Sequence, residues 1–408
     1  MKKLNLKICL VIFAVLKPVL ALTLDEAIES AVQNSDVFGQ KNAEISSYSA
    51  TKFNNFEKAF FPSVSLGYND TKEKGFDNKI KNRTFDVSYS ISNLYKSSFG
   101  FYGGTQYLNY VKLNADISKN AFIIEVASLY LKILEIKKNI EVYEKSLEVN
   151  NKMLKQVSRK VENGSAPLSS LHLIEVETEQ IEANLDYEKN RLENAKSTFF
   201  SKVKLDAVGL IEPNQIDLKY DNFESFLNAV KMNNNQINAI KSKNISAKYN
   251  LAYSTSDFLP DLNLSYQKYS NVDIFGTKTD SSRVVLSAKF YLYKPGLISD
   301  VIIKSYEYRA SNFELKGEMQ NQMNKAKELW SLYEYYKKAL KSKEKIANVR
   351  KMIVSEQMQN YAVGRVELTD VLNEEKKLRE AELDLIKIKF ETFLNVYNMK
   401  NLSGESLI

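Results

Sequence analysis

Residues able to make or break covalent bonds are scarce in this chain. His172 is its only histidine and Cys9 its only cysteine, so no second imidazole or thiolate exists to complete a metal site. No nucleophile, base and orienting group recur together, and no glycine-rich phosphate loop is present. His172 falls in an apolar-periodic stretch and reads as an ordinary packed or surface residue. Polar side chains of mixed type gather instead at 361–373, where Tyr361, Arg365, Asp370 and Asn373 surround Gly364. A phenol, a guanidinium, a carboxylate and an amide can exchange hydrogen bonds and charge with one another.

The stretch has an echo 200 positions earlier: Gly164 answers Gly364, Leu168 answers Leu368, Ser169 answers Thr369 and Leu171 answers Val371. Repetition in register, inside matching apolar contexts, marks an internal duplication. Each copy therefore has a helical hairpin with a glycine at its tip, the left-handed residue that ends one helix before the next begins.

What surrounds these tips is set by composition. The 408 residues are 44% hydrophobic, with only 13 glycines and 6 prolines. Few breakers favour long helices over many-turned domains, and the apolar content excludes wholesale disorder. Of the formal charge of +7, four units come from Lys2, Lys3, Lys7 and Lys17, leaving +3 beyond them. That small excess gives no case for a nucleic-acid partner.

Residues 1–21 read as a secretory leader. Lys2 and Lys3 form a basic start, Ile8 to Leu16 an apolar run, and Val19, Leu20 and Ala21 a small-residue cleavage site. Cleavage leaves Leu22 at the mature end and removes Cys9, so no disulfide or lipid-anchor cysteine is expected. The run is too short to span a bilayer and no longer one follows.

Two repeats then follow, at 22–220 and 221–408. In the first, Thr23 caps a helix carrying Asp25 and Glu26 in its first turn. After Pro62 the apolar period changes from helical to two. Val64, Leu66 and Tyr68 alternate with small polar residues, and Phe85, Val87, Tyr89 and Ile91 do the same, giving strands at 63–74 and 83–94. A long helical hairpin is expected over 104–203, with an ascending arm of about 85 Å at 1.5 Å per residue. The second copy restates the plan with strands at 260–272 and 283–293 and a hairpin over 298–402.

Strands with one apolar and one polar face fit lipid on one side and water on the other. Alternation alone fits a sheet packed on helices equally well. If the strands do lie in a membrane, four cannot close a pore, and open edges in hydrocarbon cost several kcal/mol per unpaired group, so several copies must join. The fold expected is an elongated, internally duplicated α+β chain: long antiparallel coiled-coil hairpins joined to four amphipathic β-strands of a shared barrel.

This arrangement resembles the TolC family of outer-membrane efflux and secretion channels. The likeness rests on Leu24-Asp25-Glu26-Ala27-Ile28 with Ala31-Val32, on the strand entries Phe61-Pro62-Ser63-Val64 and Leu259-Pro260-Asp261-Leu262, and on Tyr361-Ala362-Val363-Gly364 leading to Thr369-Asp370-Val371-Leu372. The resemblance implies a homotrimer in the outer membrane that extends into the periplasm. Its twelve-stranded barrel would stand in lipid and continue into a helical tunnel. A periplasmic adaptor and an inner-membrane transporter would be its partners, and it would use no cofactor. It also places Tyr361 and Asp370 at gate positions.

Three copies of Asp370 about 6 Å apart would repel by roughly 3 kcal/mol per pair at an effective dielectric near 20. Such a ring must protonate, hold a cation or meet a base, and Arg365 is the nearest. The chain departs from the family pattern in having Asn373 for a second acid and Val366 where an arginine is expected, implying a weaker closed state. Asp370 also reads as a plain first-turn helix acid. Asn163, Gly164, Ser165, Val363 and Gly364 are the expected adaptor contacts. The competing reading is an exported coiled-coil tether or adhesin with a soluble β head.

Overall fold

The computed structural model describes residues 22–72, 79–213, 218–272 and 275–407. The expected leader lies outside them. Elements run in two matching series. Helices α1 (Leu24–Gln33) and α2 (Asp36–Phe60) lead into strands β1 (Ser63–Lys72) and β2 (Lys79–Ser90), then helices α3 (Ser92–Glu162) and α4 (Leu168–Val203). The second series is α5 (Phe223–Asn233), α6 (Asn235–Thr255), β3 (Asp261–Val272), β4 (Lys278–Lys289), α7 (Leu297–Ala362) and α8 (Leu368–Leu402). With 71 residues in α3 and 66 in α7, the long helices reach about 100 Å.

Both strand pairs lie in one antiparallel sheet of order β1-β2-β3-β4, which leaves β1 and β4 as unpaired edges. Register puts most apolar positions on one face, with Ile80, Tyr269 and Val285 on the other. Val64 faces Val87, which faces Tyr266 and then Val284; Leu264 stands between Tyr89 and Leu286. The other face carries Ser65, Asp86, Gln267 and Arg283 in one row. Among the described residues nothing covers the apolar face: Leu66 is 82% and Val284 70% exposed.

Strand limits differ from those read in the sequence, for a common reason. The strands expected at 83–94 and 283–293 end earlier, at Ser90 and Lys289, and begin earlier, at Lys79 and Lys278. At the helical end the ladder stops because the partner strands open just after Pro62 and Pro260, which have no N–H to give. At the far end it continues through Asp70↔Lys81 and Asn271↔Thr279. Residues there are mostly polar on both faces, with only Ile80 and Val272 apolar, and show no apolar alternation to read. β1 is described as far as Lys72, the rest of the strand expected at 63–74 lying outside the described residues, and β3 opens at Asp261.

The helix expected from 104 begins at Ser92, so Gly100, Gly103 and Gly104 lie inside it. Gly103 is there for contact: a Cβ at that position would stand 3.1 Å from Tyr249 Cβ and 3.3 Å from Asn250 Oδ1. The backbones of α3 and α6 approach this closely only without a side chain, which offsets glycine's helix cost of about 1 kcal/mol. Helix α2 likewise continues through the polar residues 42–58 up to Phe60.

Three apolar clusters hold the helices together. One packs Leu24, Ala27, Ile28 and Ala31 of α1 against Ile123, Val126, Ala127 and Tyr130 of α3, with Phe199 of α4 and Phe393 of α8. Its repeat partner joins Phe226 and Val230 of α5 to Ala326 and Leu329 of α7 and Met399 of α8. The Tyr130 hydroxyl lies within hydrogen-bond reach of the carbonyls of Leu22 (2.7 Å) and Ile211 (2.6 Å), pinning the segment before α1 to the connector. The third cluster lies at the hairpin tips.

Candidate functional site at the hairpin tips

Both hairpins end in the same backbone device. Gly164 and Gly364 have φ of +69° and +76°. Beyond them the Ser165 N–H reaches back to Lys160 O (2.8 Å) and the Arg365 N–H to Asn360 O (2.9 Å). These are six-to-one bonds that satisfy the last helical carbonyls around a left-handed residue. Asn163, Gly164, Ser165, Val363 and Gly364 are all exposed among the described residues.

A shared apolar cluster sets the tips side by side. Met153 and Val157 of α3 and Ile174 of α4 pack with Leu368, Val371 and Leu372 of α8. Across this join the Lys160 ammonium sits 4.0 Å from the centre of the Tyr361 ring and donates to Tyr361 O at 3.4 Å. Tyr361 is half-buried, and burial pushes its hydroxyl above the ordinary phenol range. Within one chain the cation against Tyr361 is therefore Lys160, while Arg365 is exposed.

Asp370 occupies the start of α8. Its Oδ2 accepts the Glu367 N–H (3.3 Å), and the Glu367 carboxylate takes the Asp370 N–H in return. Two orphan donors at a helix start are thus satisfied reciprocally. Asp370 and Asn373 both point to solvent, so the tip brings Tyr361 against the first hairpin but leaves Asp370, Arg365 and Asn373 unengaged by it.

About three to four turns from the tips lies a buried polar join that the sequence reading missed. Asn150 Nδ2 of α3 donates to Glu375 Oε2 of α8 at 2.8 Å. One turn on, Arg379 Nη2 meets Glu177 Oε1 of α4 at 2.6 Å. Glu375 is 7% and Arg379 8% exposed. Burial pushes the Glu375 carboxyl up to about 7; Arg379 and Asn150 pull it down, and Glu177 and Glu382 push it further up. Asn150 Oδ1 and Arg379 Nη1 have no partner. The signal existed: Asn150, Glu375 and Arg379 fall on the inward stripe, among Met153, Val157, Val371 and Leu372, where charged residues pass for a solvated flank. The repeat-mate of Glu375, Glu175, is exposed and meets His172 Nδ1 at 3.2 Å.

Among the described residues no helix is long and apolar enough to cross a membrane, and no three His, Cys, Asp or Glu side chains converge as metal ligands. No family model and no curated protein matches the sequence. Solved structures do match the fold. The outer membrane protein VceC from Vibrio cholerae superposes with a TM-score of 0.82 at 16% identity, over 94% of this chain and 97% of that one. CusC, described in terms of transmembrane channel formation, gives 0.81 at 12% identity, over 94% and 92%. The CmeC outer membrane channel of Campylobacter jejuni gives 0.76 at 13%, over 93% and 85%. The chain thus has the fold of the TolC-type outer-membrane channels along almost its whole described length.

Proposed function

We propose that this chain, having that fold, is one third of an outer-membrane exit duct. Three copies would pair β1 of each with β4 of the next into a closed barrel whose apolar face meets lipid. The helical hairpins would continue into the periplasm as a tunnel. The carrying observation is the open four-stranded sheet: two free edges and one wholly uncovered apolar face are untenable in a lone chain in water and satisfied together by closure in a membrane. The known structures sharing the fold are channels, which supports transport over catalysis.

The duct serves a tripartite efflux pump or a type I secretion system, with a periplasmic adaptor and an inner-membrane transporter supplying energy and choice of cargo. Asn163, Gly164, Ser165, Val363 and Gly364 form the rim the adaptor grips; their exposure supports this. Asp370, with Tyr361, Arg365 and Asn373, forms the gate. Support comes from the exposure of Asp370, Arg365 and Asn373, none of which the first hairpin covers, so each can meet a neighbouring copy. The full chain, extracted in mild detergent, should migrate as a trimer that collapses on heating and should give discrete current steps in planar bilayers. A water-soluble monomer without conductance would refute the reading.

A further inference from the structure

The apolar face of the sheet does not fade into water evenly; at its outer margin it becomes a basic cleft. Leu66, Phe85 and Lys268 stand abreast on that face, and the next row outward holds Tyr68, Arg83 and Ser270. These residues line a cavity of about 340 Å³. Both cations are exposed. Two carboxylates stand nearby: Asp70 accepts the Tyr68 hydroxyl at 3.2 Å, and Asp280, hydrogen-bonded to Ser270, pairs with Lys278 at 3.3 Å and lies in the field of Lys268 without a direct ion pair to it. Among the described residues neither Arg83 nor Lys268 forms an ion pair.

Two unpaired cations at the edge of a hydrocarbon-facing surface need a counter-charge, since desolvating them alone is costly. A guanidinium beside an ammonium suits a phosphate, which the guanidinium takes through paired N–H donors. Immediately inward, Leu66, Phe85, Val64 and Val87 offer an apolar track in the direction an acyl chain would run. The cleft is built from β1, β2 and β3 and lies on their face, so strands added at the free edges extend the sheet beside it without covering it.

We propose that this cleft binds a phosphorylated membrane lipid of the outward-facing leaflet. Its phosphate is held by Arg83 and Lys268, and its chains lie along Leu66 and Phe85. The proposal rests on the membrane-spanning reading and adds to it a specific lipid contact.

The test uses full-length trimers in neutral detergent, titrated with dioleoyl phosphatidate and with dioleoylglycerol and followed by native mass spectrometry. Phosphatidate should bind the wild type about tenfold or more tighter than it binds R83Q/K268Q, the effect expected from losing charge-assisted hydrogen bonds. K337Q/K341Q, with two helical lysines removed far from the sheet, should match the wild type. Equal binding to R83Q/K268Q, or dioleoylglycerol bound as tightly as phosphatidate by the wild type, overturns the proposal. Displacement of phosphatidate by millimolar inorganic phosphate also overturns it, showing a free-anion site instead. Bilayer conductance of the same trimers is read in parallel, so a conducting trimer without lipid preference removes this site alone, and a chain without trimers or conductance removes the channel reading.

Discussion

Glu375→Gln should tighten the tip at alkaline pH and do nothing at acid pH. The carboxyl is buried between the hairpins and held at about 7 against an ordinary value of 4.5. A raised value means the native state keeps its proton over a range in which the unfolded chain has lost it. Stability from this group is then fully present below about pH 4.5, declines as pH rises towards 7, and is flat above. The interval of about 2.5 units, at 1.36 kcal/mol each, sets a ceiling of roughly 3 kcal/mol on the burden at pH 8. Glutamine keeps an acceptor for Asn150 Nδ2 (2.8 Å in the wild type) and carries no charge, so it removes that burden. Hydrogen exchange in α3 and α8 around the join is the assay, with variant and wild-type trimers compared at equal pH. At pH 8 the variant's amides should exchange up to about a hundredfold more slowly, and at pH 4.5 the two should agree. Equal protection at pH 8, or a gain that persists at pH 4.5, would refute the reasoning.

Other consequences follow from the tips and the helix contacts. Asp370→Ala should cost about 1 kcal/mol through the lost cap and weaken block of single-channel current by divalent cations; unchanged block would count against the ring. Gly364→Val forces a β-branched side chain to φ +76° with nothing to collide against, a strain of about 1–3 kcal/mol confined to the turn. Trimers should persist while export fails, and normal drug tolerance in a strain relying on the channel would contradict this. Lys160→Gln removes the cation on the Tyr361 ring, worth about 0.5–1 kcal/mol, and should raise open probability in bilayers. Gly103→Leu should lower the trimer's melting temperature through overpacking of about 1–3 kcal/mol or more against Tyr249 and Asn250; an unaltered melt would show that α3 and α6 can part there.

The plan of the fold was legible because its strongest devices are local. Alternation along Val64, Leu66 and Tyr68 specifies which face is apolar, and a lone glycine between long apolar-periodic stretches marks a tip. Element limits were not legible where two demands compete. Gly103 reads as a break until the close passage of α6 is known, and Lys278 to Ser282 read as loop because their pairing is backbone-driven with both faces wet. The glycine tip is legible in the sequence, but not the contact across it, since nothing near Lys160 in sequence says that Tyr361 will lie under it. Asn150 and Glu375 escaped for a related reason: in a heptad reading a polar residue is assigned to water, and only tertiary packing shows that it faces inward.

One pair of homologous positions limits how this chain could ever be subdivided. Glu175 and Glu375 are the same residue at the same place in each copy, yet one meets His172 in solvent and the other is sealed between hairpins. The two halves have ceased to be interchangeable. A ring of six identical half-length chains would have to make every such carboxylate both wet and dry, so the strict alternation of unlike hairpins is now written into the covalent join between them.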